Sequence, residues 1–207
     1  ACFDPDRLPL LQRGAAFAIA HVRGGGERGK QFHQAGAVLN KDRSVRDFLD
    51  AAEYLQNQCG FDEIAAEGRS AGGYLVGAAL NLNPTLFSAA LLEVPFVDPL
   101  GTLSDPSLPL TANEWEEFGN PRLAGGFQAI KALSPASNVD PSLPYPPLLL
   151  RPAFKDARTG WWESFKFAAR INLAISSSSK RGREGSGAVV SLSEGGHFRA
   201  GGLTARA

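Results

Sequence analysis

Gly68-x-Ser70-x-Gly72 is the place in the chain where residue type and spacing together point to covalent chemistry. A serine on a sharp strand-to-helix turn needs small neighbours, because bulkier ones would clash there. The start of the helix that follows, together with the backbone N–H of Ala71, can then stabilise an oxyanion. A serine hydroxyl is a weak nucleophile until a base takes its proton, and the chain offers three histidines. His21 falls inside an apolar run and reads as a core residue, and His33 lies in a polar stretch between glycines and reads as solvated. His197 sits in a Gly-Gly-His-Phe loop after the last apolar run, a setting from which an imidazole can reach a serine. The acid that orients the base should fall between the two, just after a strand. Asp156 follows Pro147–Arg151 and meets that condition, whereas Asp105 and Asp140 sit in proline-rich stretches.

The order Ser70, Asp156, His197 is that of nucleophile, acid and base in an α/β hydrolase, and the elements needed to position them can be traced. The run GAAFAIAHV (Gly14–Val22) predicts a buried strand ended by a glycine loop. Ser44 then opens a helix whose apolar face carries Val45, Phe48, Leu49, Ala52 and Leu55, with Gly60 placed to stop it. Further strands are predicted at Glu63–Glu67, Ala89–Val94, Pro147–Arg151 and Ala188–Leu192. Helices are predicted after the Gly68–Gly73 turn, fading near Asn83-Pro84, and from about Trp161 to Asn172. This alternation implies βαβ units and a mostly parallel sheet flanked by helices. Phe96 to about Asn138 reads as an excursion off the sheet, and Ser176–Gly187 as a low-complexity surface loop.

Composition narrows the function classes. The chain has 207 residues, room for one domain with a sizeable core. Lys+Arg and Asp+Glu both total 21, so no net field draws it to nucleic acid or to an anionic membrane. No apolar run is long enough to span a bilayer. Cys2 and Cys59 fit no metal spacing or disulfide framework, which favours a reducing, cytoplasmic setting. The triad needs no metal or cofactor. The chain has no methionine, so it is expected to begin inside a longer polypeptide or to be processed.

The strings FAIAHVRGGGE, EGRSAGG, VPFVD, EWEEFGNP and the terminal GGH resemble, in this order, the catalytic domain of the prolyl oligopeptidase family, on its oligopeptidase B side. The resemblance runs from about Cys2 to about Gly202. It implies a serine peptidase that cleaves after Arg or Lys in short peptides, and it assigns Ser70, Asp156 and His197 as the triad. It further implies that Arg158 binds a substrate carbonyl, that Glu114 and Glu116 select the basic residue, and that Asp4 and Asp6 favour a second one. Along an extended segment, side-chain alternation would send Glu114 and Glu116 one way and Glu117 the other.

On this reading residues 1–207 are an incomplete catalytic domain, truncated at both ends and lacking the family's N-terminal β-propeller. A family tyrosine that completes the oxyanion site falls before Cys2. The text RPAFKDAR departs from the family around the acid, and Asn172–Gly187 shows no likeness to it. Two other readings stay open: a carboxylesterase-type hydrolase with the same triad, and a catalytically inert fragment.

Overall fold

In the computed structural model, which describes residues 5–108, 111–177 and 186–198, the strands pair in the order in which they occur. β1 (Ala65–Arg69), β2 (Ala89–Glu93), β3 (Leu148–Arg151) and β4 (Ala188–Val190) form one parallel sheet. Parallel neighbours need long crossovers, and helices supply them. Three helices precede the sheet: α1 (Leu8–Leu11), α2 (Lys30–Gln34) and α3 (Lys41–Asn57). α4 (Ala71–Leu82) links β1 to β2, and α8 (Trp161–Ser177) links β3 to β4. The excursion between β2 and β3 is largely helical, with α5 (Pro99–Ser104), α6 (Thr111–Phe118) and α7 (Ala124–Leu133).

Leu92 and Leu150 of the central strands, Val76 and Leu80 of α4, and Phe167 and Ile171 of α8 are all nearly inaccessible and form one apolar cluster. Each such side chain contributes about 1.5–3 kcal/mol by leaving water. A second cluster of Tyr74, Phe96, Leu103, Phe118 and Ile130 fastens the helical excursion to α4. Phe118 anchors it, meeting the Tyr74 and Phe96 rings edge-on at 5.2 and 5.1 Å.

Gly14–Val22 is not a strand, contrary to expectation. Phe17 and Ile19 are 41% and 49% exposed, and His21 is exposed, with Nδ1 3.4 Å from Glu27 Oε1. Apolar composition cannot make a strand without a partner's N–H and C=O groups, and none of the four strands pairs with this run. Likewise α3 begins at Lys41 rather than at Ser44. The Ser44 hydroxyl does not cap the helix; it donates to the carbonyls of Arg23 (2.5 Å) and Gly36 (3.2 Å), pinning α3 to the glycine loop. Cys59 is a free, exposed thiol. Cys2, Asp4 and the side chain of Asp6 lie outside the described residues. No helix among the described residues is long and apolar enough to cross a membrane.

Candidate active site

The strand register brings Arg69, Glu93 and Arg151 side by side at the C-terminal ends of β1, β2 and β3. Loops leaving the ends of parallel strands are where such sheets carry chemistry. Ser70 leaves β1 with φ +54° and ψ −119°, a conformation that costs a non-glycine residue about 1–3 kcal/mol unless its surroundings over-determine it. They do. The Ser70 N–H donates to the Glu93 carbonyl at 3.0 Å, while the Ser70 carbonyl accepts from Gly73, Tyr74 and Phe96 at 2.9, 3.3 and 3.1 Å.

The two motif glycines are not equivalent. A Cβ on Gly68 would stand 2.2 Å from the Gly72 carbonyl oxygen, whereas one on Gly72 would meet nothing within 4 Å. The second crowded position is Gly73, where a Cβ would lie 2.4 Å from Pro95 Cβ. Close approach of α4 to the β2 loop therefore requires glycine at 73, one residue beyond the motif. Ala71 opens α4, where the first N–H groups have no intrahelical acceptor, and it lines a cavity together with Ser70.

Asp156 and His197 lie beyond the ends of β3 and β4, and their loops are stitched together. Phe154 N–H donates to the Ser193 carbonyl (2.7 Å), Ser193 N–H to that of Pro152 (3.1 Å), and Lys155 N–H to that of Gly195 (3.0 Å). His197 Nδ1 is 2.8 Å from Asp156 Oδ2. The imidazole is 8% and the carboxylate 0% exposed. Asp156 Oδ1 also accepts the N–H groups of Arg158 (2.8 Å) and Thr159 (3.0 Å). The Thr159 hydroxyl lies 2.9 Å from Asp156 Oδ2 and 3.0 Å from the Val94 carbonyl. Burial alone would raise the Asp156 pKa, but these hydrogen bonds outweigh it and hold the carboxyl below its usual range. Asp156 is thus kept ionised beside the ring, with Nδ1 the protonated nitrogen and Nε2 left for chemistry. No hydrogen bond joins Ser70 Oγ to His197 among the described residues.

The cavity at Ser70 has a volume of about 190 Å³ and is lined by Glu114, Glu117, Arg158, Thr102 and Phe96 as well. Here the expected grouping of acids is corrected. The segment is helical, not extended, so residues three apart share a face. Glu114 and Glu117 therefore line the serine cavity and also border a second cavity of about 480 Å³, whereas Glu116 is exposed and lines only the second, with Lys30 and His33. His33 is half-buried rather than solvated, its Nδ1 2.7 Å from the Gly24 carbonyl. Glu117 is ion-paired with Lys41, which also sits 4.5 Å from the Phe118 ring centroid. Among the described residues Glu114 has a loose ion-pair partner, Arg158 Nη2 at 3.9 Å. Burial and the neighbouring Glu117 charge raise its pKa, against Arg158 and Lys41, which lower it.

The sequence alone gives Thr159, Arg69 and Glu163 no role, and it sets Glu117 apart from Glu114. Thr159 had a weak signal, since Asp followed by Thr three residues on can close an Asx-type turn. Glu163, in the first turn of α8, is fully buried. It accepts from Asp98 N–H and the Thr102 hydroxyl, both at 2.8 Å, and so ties α8 to the cavity wall. Burial pushes its pKa up to about 7 against those hydrogen bonds. Among the described residues, no group of three or more His, Cys, Asp or Glu side chains is arranged to hold a metal ion.

A parallel sheet with a strained serine leaving one strand end and helices on its crossovers is the α/β-hydrolase fold. The chain belongs to the prolyl oligopeptidase family, whose sequence profile matches residues 2–202. It is 42% identical to Protease 2 of Moraxella lacunata over 171 residues, 82% of this chain and 25% of that protein. It is 38% identical to dipeptidyl aminopeptidase BI of Pseudoxanthomonas mexicana, with 83% and 24% covered. Among solved structures, oligopeptidase B from Leishmania major superposes with a TM-score of 0.86 at 38% identity, over 95% of this chain and 27% of that one. Oligopeptidase B from Trypanosoma brucei with covalently bound antipain gives a TM-score of 0.77 at 39% identity, over 87% and 25%. The chain spans about a quarter of the length of these relatives.

Proposed function

We propose that the chain carries the catalytic part of a serine oligopeptidase that cleaves short peptides after Arg or Lys. The observation that carries this reading is the 2.8 Å bond between His197 Nδ1 and the buried Asp156 carboxylate, in loops beyond β3 and β4 of the sheet whose β1 ends on a serine held at positive φ. Ser70 Oγ attacks the scissile carbonyl while His197 Nε2 takes its proton, and Asp156 stabilises the imidazolium. The Ala71 N–H receives the developing oxyanion. His197 then returns the proton to the leaving amine, and water hydrolyses the acyl-serine by the same route. No metal or cofactor enters these steps.

Specificity for a cation rests on Glu114. It is half-buried in the serine cavity, with Arg158 a loose ion-pair partner at 3.9 Å. A guanidinium or ammonium entering that space meets a carboxylate already stripped of part of its water, which makes the pairing strong. That need for a carboxylate is what separates a basic-residue peptidase from an esterase of the same triad. Arg158 faces the same space with donors suited to a substrate carbonyl. Asp4 and Asp6 are assigned to a second basic residue and an N-terminal β-propeller to the intact enzyme on the family resemblance, and the cytoplasm to its setting on the cysteine usage.

The test is product analysis on short peptides that carry one Arg, one Lys or neither. Cleavage on the C-terminal side of the basic residue, lost in Ser70→Ala, is expected. Cleavage with no preference for it would overturn the specificity.

A further inference from the structure

We infer that Arg69 is a positioning residue for the base, tying the histidine loop to the serine elbow through the backbone carbonyl of His197. The inference rests on the proposed triad.

The histidine loop is anchored unevenly. Its backbone bonds at Ser193 and Gly195, and the imidazole bond itself, all run to the Pro152–Asp156 loop. These fix His197 relative to the acid, but not relative to the serine. Among the described residues, one hydrogen bond crosses from β1 or its elbow to the histidine loop, and Arg69 Nη2 donates it to the His197 carbonyl. Arg69 is the last residue of β1 and the immediate neighbour of Ser70, so this bond spans the gap that nucleophile and base must share.

The guanidinium is itself held in place. Arg69 Nη1 lies 3.6 Å from Glu93 Oε2, and Arg151 Nη1 lies 3.1 Å from Glu93 Oε1. The three residues are register partners on adjacent strands, so the sheet sets their spacing. A planar fork can hold one carboxylate and still present a donor to a carbonyl, which a lysine ammonium does with less geometric control. Misplacing a catalytic group by about 1 Å can cost about 10²-fold in rate. A tether at this point therefore acts on proton transfer rather than on substrate binding.

Arg69→Met keeps the unbranched stem and removes every donor, while Arg69→Lys keeps one charged donor. Arg69→Met is expected to slow both kcat on a short arginine peptide and phosphonylation of Ser70 by a small neutral fluorophosphonate about 10- to 100-fold, with KM moving less than about twofold. Hydrogen exchange over residues 194–198 should quicken in the same variant. Arg69→Lys should recover part of both effects, and it replaces Arg69→Met as the test if the latter unfolds. Unchanged phosphonylation would overturn the inference, whether or not exchange quickens, and so would a loss expressed mainly in KM. A wild type that loses labelling in His197→Ala but not in Arg69→Met refutes this inference alone. Labelling that survives His197→Ala refutes the triad.

Discussion

Two walls of the site, the loop pair that carries Asp156 and His197 and the lining of the serine cavity that carries Glu114 and Glu117, are built differently. On the first, loops beyond β3 and β4 are joined by backbone hydrogen bonds, and Asp156 takes four further donors. On the second, α6 is held by side chains: Lys41 on Glu117, the Trp115 indole donating to the Leu103 carbonyl at 3.2 Å, and the Thr111 hydroxyl donating to the Thr102 carbonyl at 3.2 Å. Backbone pairing sets positions through the sheet register, which suits atoms that must pass a proton between them. Side-chain pairs can be exchanged one residue at a time, which suits a wall that decides what is bound. Substitutions in the first wall should therefore abolish every reaction, and those in the second should change substrate preference.

The largest expected effect is at the acid. Asp156→Asn keeps the shape but favours the wrong histidine tautomer, and should lower kcat about 10⁴-fold on peptide and neutral ester alike. Steady-state kinetics on both substrates checks this; a loss confined to peptides would break the division between the walls. Next come the glutamates of α6. Glu114→Gln should lower kcat/KM for arginine peptides about 10²-fold and leave a small neutral ester unaffected. Glu116→Gln, facing the other cavity, should change either by less than about twofold. Equal losses in the two variants would return Glu116 to the serine cavity.

Legibility in the sequence differs between the same two walls. β1, the elbow and α4 follow from local pattern: an apolar run, small residues around Ser70 and a helical stretch to Leu82. His197 emerges as the candidate base by elimination among three histidines. The grouping of Glu114 with Glu117 is missed because it depends on whether 111–118 is helix or extended, and EWEEF alone does not decide that. The Lys41–Glu117 pair spans 76 residues, and no local pattern announces it. Gly14–Val22 fails in the opposite sense: the composition of a strand is present, but not the neighbour that makes one.

Smaller effects sharpen the picture of the elbow and of the joint between the walls. Gly73→Ala forces a Cβ to within 2.4 Å of Pro95 Cβ and should destabilise by about 1–3 kcal/mol. Gly72→Ala, in open space, should stay within about 0.5 kcal/mol. Thermal unfolding of the pair checks both values. Glu163 has a folded pKa near 7, raised above its ordinary value of 4.5, so the folded state holds its proton where the unfolded state has lost it. Stability from this group is therefore complete at low pH and declines as pH rises from about 4.5 to about 7, by up to about 3 kcal/mol. Glu163→Gln should flatten that part of the stability–pH curve, as read by urea unfolding; an unchanged slope would assign it to other groups. Asp156 works in the other direction, since its lowered pKa adds stability at neutral pH that is lost as pH falls below the ordinary carboxylate range.

The central claim is that Ser70 is activated by His197. Treating the protein with a small neutral fluorophosphonate and locating the adduct by peptide mass spectrometry addresses it directly, whatever peptide the enzyme cleaves. The account predicts one phosphonyl group on the peptide containing Ser70, formed in the wild type and lost in His197→Ala and Ser70→Ala. Absence of that adduct from the wild type, or its formation at an undiminished rate in His197→Ala, would contradict it.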